Sequence, residues 1–89
     1  MPKVIFAQAL KRHIDCPPVD VAGATVRQAL EAAFDVNPRV RGYVLDDQSH
    51  LRKHMTIFID GMMIRDRTGL TEAVLPASQI YVVQALSGG

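Results

Sequence analysis

The order of apolar and polar positions along the chain predicts a small domain that combines several strands with one helix. Runs rich in β-branched and aromatic residues favour strands. Such runs occupy residues 3–10, 19–21, 54–59 and 80–85. A shorter strand is expected at 43–45, after a polar crossover at 39–42. From Leu70 to Leu75 we expect a short helical turn, which Pro76 ends.

One amphipathic helix is predicted from Thr25 to Val36. Thr25 is a good N-cap residue, and Gln28 three positions later completes a capping box. Apolar residues then recur at helical spacing and form a single stripe: Val26, Ala29, Leu30, Ala33 and Phe34. Asn37 suits the left-handed conformation that often ends a helix, and Pro38 is expected to prevent continuation.

The remaining turn signals arrange these elements around the helix. Asp60 and Gly61 form a strong hairpin signal, so the residues from Met62 to Ile64 should pair back on the strand at 54–59. Met62 and Met63 should face opposite sides of the sheet, with one of them packed inward. The helix needs a sheet face to cover its stripe. We therefore predict an α+β fold, the ubiquitin-like β-grasp, with a mixed sheet of about five strands wrapped on one main helix. Its first and last strands should be adjacent and parallel.

The composition narrows the class of protein further. The 89 residues carry a net charge of +1, which is not the charge signature of a nucleic-acid-binding protein. The apolar fraction of 48% is enough for a packed core. No apolar run approaches membrane-spanning length, no signal peptide is visible, and a single cysteine excludes an internal disulfide. We therefore expect a cytoplasmic protein with neither nucleic-acid nor membrane partners.

The end of the sequence carries its most distinctive chemical feature. Gly88 and Gly89 closely follow the strand at 80–85, and glycine has the greatest backbone freedom of all residues. We expect residues 1–85 to form the β-grasp domain and residues 86–89 to form a flexible tail. A carboxylate on such a tail can be threaded into the active site of another protein.

Several blocks together resemble one known family. They are residues 3–7, the helix that begins at Thr25, residues 41–47, 51–54 and 57–61, and the terminal Gly88 and Gly89. In this order they resemble the MoaD/ThiS sulfur-carrier family over nearly the whole chain. The length is closer to the molybdopterin synthase small subunit and the cysteine-biosynthesis carrier than to the shorter thiamine carrier.

The resemblance implies a role as carrier and substrate, with no catalytic residue and no bound cofactor of its own. A partner similar to the ubiquitin-activating enzyme would use ATP to adenylate the carboxylate of Gly89. A sulfur donor, either a sulfurtransferase or a desulfurase, would convert the adenylate to a thiocarboxylate. The thiocarboxylate would supply a biosynthetic enzyme of the molybdopterin, cysteine or thiamine pathways, and the chain could act as the small subunit of a synthase complex.

Candidate contact residues lie in the tail and at two places in the domain. Leu86 is a candidate anchor in a partner's groove, and Ser87 and Gly88 would pass through the narrow channel. A basic cluster is formed by Arg52, Lys53 and His54. It could bind an acidic patch on the activating enzyme, or it could simply be the solvent-exposed start of a strand. Met62 is a further candidate contact.

Other reactive side chains give weaker signals. Cys16 is either a relay thiol or a tolerated loop residue. His13, His50 and His54 lack the spacing of a metal site, so no metal is expected.

Two alternative functions stay open on this sequence. The first is a ubiquitin-like modifier that is conjugated to lysines through Gly89. The second is a non-catalytic β-grasp interaction module whose tail has no role. The chain also departs from the family pattern at Asp60, at the pair Met62 and Met63, at residues 76–79 and before the final glycines. These departures leave the pathway and the partner open.

Overall fold

The structure is a computed structural model that describes residues 1–12 and 14–84. Within these residues a single mixed sheet packs against one long helix and two short ones. The elements in chain order are β1 (Lys3–Phe6), α1 (Gln8–Lys11), β2 (Val19–Asp20), α2 (Val26–Val36), α3 (Pro38–Val44), β3 (Met55–Ile59), β4 (Met62–Met63) and β5 (Gln79–Gln84). None of the helices in the described part is long and apolar enough to cross a membrane.

The sheet has five strands in the order β2-β1-β5-β3-β4. The first and last strands, β1 and β5, are adjacent and parallel, as predicted, with Ile5 opposite Tyr81. All other neighbouring strands are antiparallel. β5 is therefore the central strand, and it carries the chain to the end of the described residues.

The main helix α2 forms as its sequence predicts. The Thr25 hydroxyl accepts a hydrogen bond from the backbone N–H of Gln28 at 3.2 Å. The Gln28 side chain in turn accepts from the backbone N–H of Ala24 at 2.8 Å, one residue before the N-cap. The five residues of the apolar stripe are all buried, and they cover the face of the sheet that carries Val4 and Ile80.

The first strand is shorter than predicted. β1 ends at Phe6, and the chain then turns into α1, where the N–H of Leu10 donates to the C=O of Ala7 at 3.1 Å. Leu10 is buried in the core from this helical turn. The strand prediction holds for residues 3–6 and was wrong for residues 7–10, because an apolar run without clear periodicity suits either a strand or a buried helical turn.

The second correction concerns the residues that follow α2. The predicted crossover at 39–42 and strand at 43–45 are in fact α3, which has Pro38 in its first turn. Asn37 has φ −138°, not the left-handed conformation, so the chain begins a new helix there, and proline suits the first turn. Val40 and Val44 are both buried, and their i, i+4 spacing is the helical signal that the strand prediction overlooked.

The third correction concerns the segment from Leu70 to Leu75, which is not helical: Leu70 has a φ of 54°, and Ala73 forms an isolated antiparallel bridge with Thr25. The N–H of Val26 donates to the C=O of Glu72 at 2.9 Å, and the N–H of Arg27 donates to the C=O of Leu70 at 2.9 Å. The first N–H groups of a helix have no partner within it. This segment therefore supplies backbone C=O acceptors to the first turn of α2. The sequence pattern alone does not reveal this long-range pairing.

The predicted hairpin between β3 and β4 is confirmed. Asp60 and Gly61 both have positive φ, 49° and 89°, as a two-residue type I′ turn requires. Met62 and Met63 lie on opposite faces but are both exposed. The prediction that one of them packs inward was wrong, because β4 is a two-residue edge strand that extends beyond the cover of α2.

Candidate interaction surface at the end of the last strand

The point where the tail leaves the sheet is fixed by the pairing of β5. Gln84, the last described residue, lies opposite Met55 at the start of β3. The predicted tail residues Leu86, Ser87, Gly88 and Gly89 lie outside the described residues, so their roles stay predictions. We call Gln84 and the residues around it the tail root.

The predicted basic cluster lies at the tail root. Arg52, Lys53 and His54, here called the basic turn, immediately precede Met55, whose N–H donates to the C=O of Arg52 at 3.0 Å. Lys53 and His54 are exposed. Arg52 is half-buried, and its Nε donates to the C=O of Gly42 at 2.8 Å. Two side chains of the cluster therefore face solvent, while the third anchors the turn to α3.

Arg67 also holds the basic turn, although no pattern in the sequence singles it out. One of its guanidinium nitrogens donates to the C=O of Arg52 and to that of Met55, each at 2.7 Å. These two acceptors lie on either side of Lys53 and His54. A long-range contact of this kind has no sequence signature, since Arg67 lies in a polar loop that is remote in the chain.

The helix α1 adds two further cations at the same end of the sheet. It follows β1, and the N–H of Ala7 donates to the C=O of Val82 on β5 at 2.9 Å. Lys11 and Arg12 are exposed at the end of this helix. Ion pairs within the described residues involve only Glu31 with Arg27 and Arg41. The cations on both sides of the tail root are therefore available to a partner.

The face of the sheet opposite α2 carries a row of apolar side chains across four strands. Cross-strand register places Ile5 opposite Tyr81, Tyr81 opposite Phe58, and Phe58 opposite Met63. Residues in register share a face of the sheet. We call these four residues the open-face row; Tyr81 is 39% exposed and Met63 59% exposed. Partly exposed apolar side chains that lie side by side in this way are candidates for a protein-interaction surface.

Met62 is not part of this surface. It lies opposite Ile59 and so faces the α2 side, beyond the edge of the core. It is also at the end of β3 opposite to the basic turn. The structure thus brings Arg52, Lys53 and His54 together with the tail root and separates Met62 from them.

The remaining candidate reactive side chains are Cys16 and the histidines. Cys16 is buried in the core, and desolvation raises the pKa of its thiol. A high thiol pKa reduces the reactive thiolate, which makes a relay role less favourable. In the described part of the chain, no group of histidine, cysteine, aspartate and glutamate side chains could hold a metal ion. His13 lies outside the described residues.

Comparison with known proteins identifies the fold. No protein-family model matches the chain, and no curated protein matches it. Among solved structures, SAMP1 from Haloferax volcanii has a TM-score of 0.78 at 25% identity, over 99% of this chain and 98% of that one. A chain of the Amycolatopsis orientalis BexX/CysO complex has a TM-score of 0.83 at 18% identity, over 100% of both chains. CysO from Mycobacterium tuberculosis has a TM-score of 0.80 at 17% identity, over 97% of this chain and 100% of that one.

The chain has the ubiquitin-like β-grasp fold of the MoaD/ThiS type. The predicted α+β class, with about five strands on one main helix, is therefore confirmed, as is the resemblance to this family. In a β-grasp with this strand order, the central strand β5 ends beside the start of β3. The tail root and the basic turn accordingly lie together at one end of β3, and the open-face row crosses the sheet three residues further along β3 and β5.

Proposed function

We propose that the chain is a sulfur carrier that reacts through the carboxylate of Gly89. The observation that carries the proposal is the position of β5, whose C-terminal end lies at the basic turn. The similarity to SAMP1 and to the CysO structures supports the same function at the level of fold. No side chain of the domain is assigned a catalytic role.

The chemistry is an acyl activation followed by a substitution. A carboxylate oxygen of Gly89 attacks the α-phosphorus of ATP on the partner adenylyltransferase, and pyrophosphate leaves. Hydrosulfide from the sulfur donor then attacks the acyl carbon, AMP leaves, and the sulfhydryl proton passes to solvent. The product is a thiocarboxylate, which transfers sulfide to a biosynthetic enzyme. A free carboxylate is ionised at neutral pH, with a pKa of about 3.5, and is a poor electrophile without this activation.

The domain supplies binding and orientation. The open-face row gives the activating partner an apolar contact, and the exposed Lys53 and His54 give it an electrostatic one. The basic turn lies next to the tail root, so docking there directs the last residues toward the partner's active site. Glycine at the last two positions lets the backbone pass a narrow channel and leaves the acyl carbon unshielded.

Intact-mass measurement after coexpression with an adenylating enzyme and a sulfur donor tests the proposal. The expected result is a mass gain equal to the difference between one sulfur and one oxygen atom. Tandem mass spectrometry should place this gain on Gly89. A matched variant with one extra residue after Gly89 should show no gain. An unchanged mass for the wild-type chain, with an adenylating enzyme that binds it, would contradict the proposal.

A second candidate function is supported by one comparison. The neighbour from Haloferax volcanii is described as small archaeal modifier protein 1. A modifier would use the same activation but pass its acyl group to a lysine amine, forming an isopeptide bond and releasing the activating group. Higher-mass conjugates that carry a Gly89–lysine linkage, without a detectable thiocarboxylate, would favour this function over sulfur transfer.

A further inference from the structure

A groove beside the outer strand β4 is the strongest feature that the proposed function does not use. It has a volume of about 600 Å³, which is within the usual range of binding pockets. Met62 and Leu75 both line it, and they are 73% and 68% exposed. Ile59 and Ala73 add further apolar surface. Large apolar side chains that stay exposed around a concave surface indicate a binding site for another molecule.

Negative charge surrounds this groove. Its lining holds three carboxylates, those of Asp60, Asp66 and Glu72, and one cation, Arg65, so the lining carries a net charge of −2. Ion pairs among the described residues involve none of these four side chains. Hydrogen bonds, first of all from the Thr71 side chain, hold the pKa of Asp66 well below its ordinary value, so this carboxylate is ionised. The whole chain carries a net charge of +1, so the negative charge belongs to the groove and not to the chain as a whole.

Two of the carboxylates are held in place by backbone groups and keep one oxygen for a ligand. Asp60 Oδ1 accepts a hydrogen bond from the N–H of Gln79 at 2.9 Å. Glu72 Oε1 accepts one from the N–H of Asp66 at 2.8 Å. In the part of the chain that the structure describes, the second oxygen of each carboxylate has no donor. A cation that enters the groove can therefore pair with carboxylates whose positions are already fixed.

We propose that the groove binds a segment of a second protein in which a large apolar side chain neighbours a lysine or arginine. The apolar side chain packs against Met62 and Leu75, and the cation pairs with Asp60 or Glu72. Charge selects this partner, because an acidic segment is repelled by the net charge of the lining. The partner therefore differs from the activating enzyme, for which the basic turn favours an acidic surface.

The groove and the tail root lie at opposite ends of β3. Ile59 lines the groove, whereas Met55 pairs with Gln84, and four residue steps along a strand span roughly 13 Å. A segment bound in the groove therefore leaves the basic turn and the tail root exposed. The inference goes beyond the proposed function and fails independently of it, since binding is measured on the isolated chain without an activating enzyme.

Selection of random octapeptides, displayed on phage, against the immobilised full chain tests the proposal. Enriched peptides should carry a lysine or arginine next to a large apolar residue and should have a net positive charge, although the chain itself is weakly basic. Fluorescence polarisation with the synthetic peptides then measures their affinity. Leu75→Arg, which places a cation in the groove, should weaken binding about tenfold. Val36→Arg is the matched control, since Val36 is an exposed apolar residue on α2, and this variant should bind like the wild type.

A pair of isosteric substitutions tests the charges separately. Asp60→Asn with Glu72→Gln removes two charges but keeps both oxygens that accept from backbone N–H groups. This double variant should weaken binding about fivefold at low salt. Asp20→Asn with Asp35→Asn makes the same change in net charge at exposed positions outside the groove and should leave the affinity unchanged. Equal weakening by the two double variants would contradict the role assigned to the groove carboxylates.

The other possible occupants and surfaces give distinct results. Enrichment of acidic peptides, the absence of any enrichment, or equal affinity of Leu75→Arg and the wild type would overturn the proposal. Loss of peptide binding in Tyr81→Ala with retention in Leu75→Arg would reject it in favour of the open-face row. Self-association of the wild-type chain in sedimentation velocity, abolished by Leu75→Arg, would make a second copy the occupant and would likewise reject it.

Discussion

Gln84 and Met55 lie opposite each other in the register between β5 and β3, and this pair places the tail root beside the basic turn. Met55 directly follows His54, so the last described residue of the chain is a cross-strand neighbour of the predicted basic cluster. The two segments are some thirty residues apart in the sequence. Their proximity is the structural basis for assigning partner binding to this end of the sheet.

The exposed lysine of the basic turn should contribute to partner recognition. We expect Lys53→Glu to reduce the association rate with the activating enzyme about tenfold at low salt, and by less at high salt, because rim charges act on association through screened electrostatics. Stopped-flow binding at two ionic strengths measures this. Arg65→Glu makes the same charge change at the other end of the sheet and should leave the rate unchanged. Equal effects of the two variants would show that only net charge matters.

The open-face row should contribute apolar binding energy to the same complex. Tyr81 is central in the row, between Ile5 and Phe58. We expect Tyr81→Ala to weaken binding to the activating enzyme by about 2 kcal/mol, since aromatic residues near the centre of an interface often dominate it. Isothermal titration calorimetry measures the change, with Val36→Ala as the exposed apolar control. Unchanged affinity in Tyr81→Ala would place the partner on another face.

Arg67 should stabilise the fold through the basic turn. Arg67→Gln removes the donor shared by the carbonyls of Arg52 and Met55. The C=O of Arg52 keeps the hydrogen bond from the N–H of Met55, so the loss is that of two hydrogen bonds from a charged donor. Such a loss costs about 1–3 kcal/mol, and the free energy of unfolding should fall by about that amount in urea titration. Arg39→Gln, an exposed residue on α3, is the control and should change stability by less than about 0.5 kcal/mol. A similar small effect for Arg67→Gln would contradict the assigned role.

Two glycines should respond in opposite directions to replacement by alanine. A Cβ at Gly23 would lie 2.8 Å from the backbone nitrogen of Ala29, whereas a Cβ at Gly42 would meet no atom within 4 Å. Gly23→Ala should therefore destabilise the fold by about 1–3 kcal/mol. Gly42→Ala, inside α3, should stabilise it by about 0.5–1 kcal/mol. Thermal unfolding of both variants measures the signs, and a stabilised Gly23→Ala would show that the start of α2 can shift.

The carboxylate of Asp66 should make stability depend on acid pH. Hydrogen bonds from the Thr71 side chain first, and then from backbone N–H groups of Gly69 and Thr71, hold its pKa well below the ordinary value of 3.8. A depressed folded-state pKa gives stability that is present above 3.8 and is lost as pH falls below it.

Urea titration between neutral pH and about pH 2 measures this dependence. The wild-type free energy of unfolding should decrease steeply below about pH 4. Asp66→Asn should be less stable at neutral pH and should show a shallower acid decrease, because the amide does not titrate. A parallel decrease in both proteins would assign the acid sensitivity to other carboxyl groups, among them Asp46, whose pKa is also lowered, mainly by the backbone N–H of His50.

The sequence was informative wherever the structural signal is local. Thr25 and Gln28 define the start of α2, the apolar stripe defines its buried face, and Asp60 with Gly61 defines the hairpin. Each of these depends on residues within one or two turns of the chain. Residues 7–10, 39–44 and 70–75 were assigned wrongly, because their conformation depends on contacts that are remote in the chain. The first two segments bury apolar side chains in the core, and the third supplies hydrogen-bond acceptors to the first turn of α2.

The sequence by itself therefore determined the fold class, the main helix and the candidate chemistry of Gly88 and Gly89. Only the tertiary structure decided which residues surround the tail root, which face of the sheet is open, and that Arg67 holds the basic turn. The physical reason is that local propensity and periodicity are properties of neighbouring residues. Strand register and long-range hydrogen bonds, in contrast, are set by the packing of the whole sheet on α2.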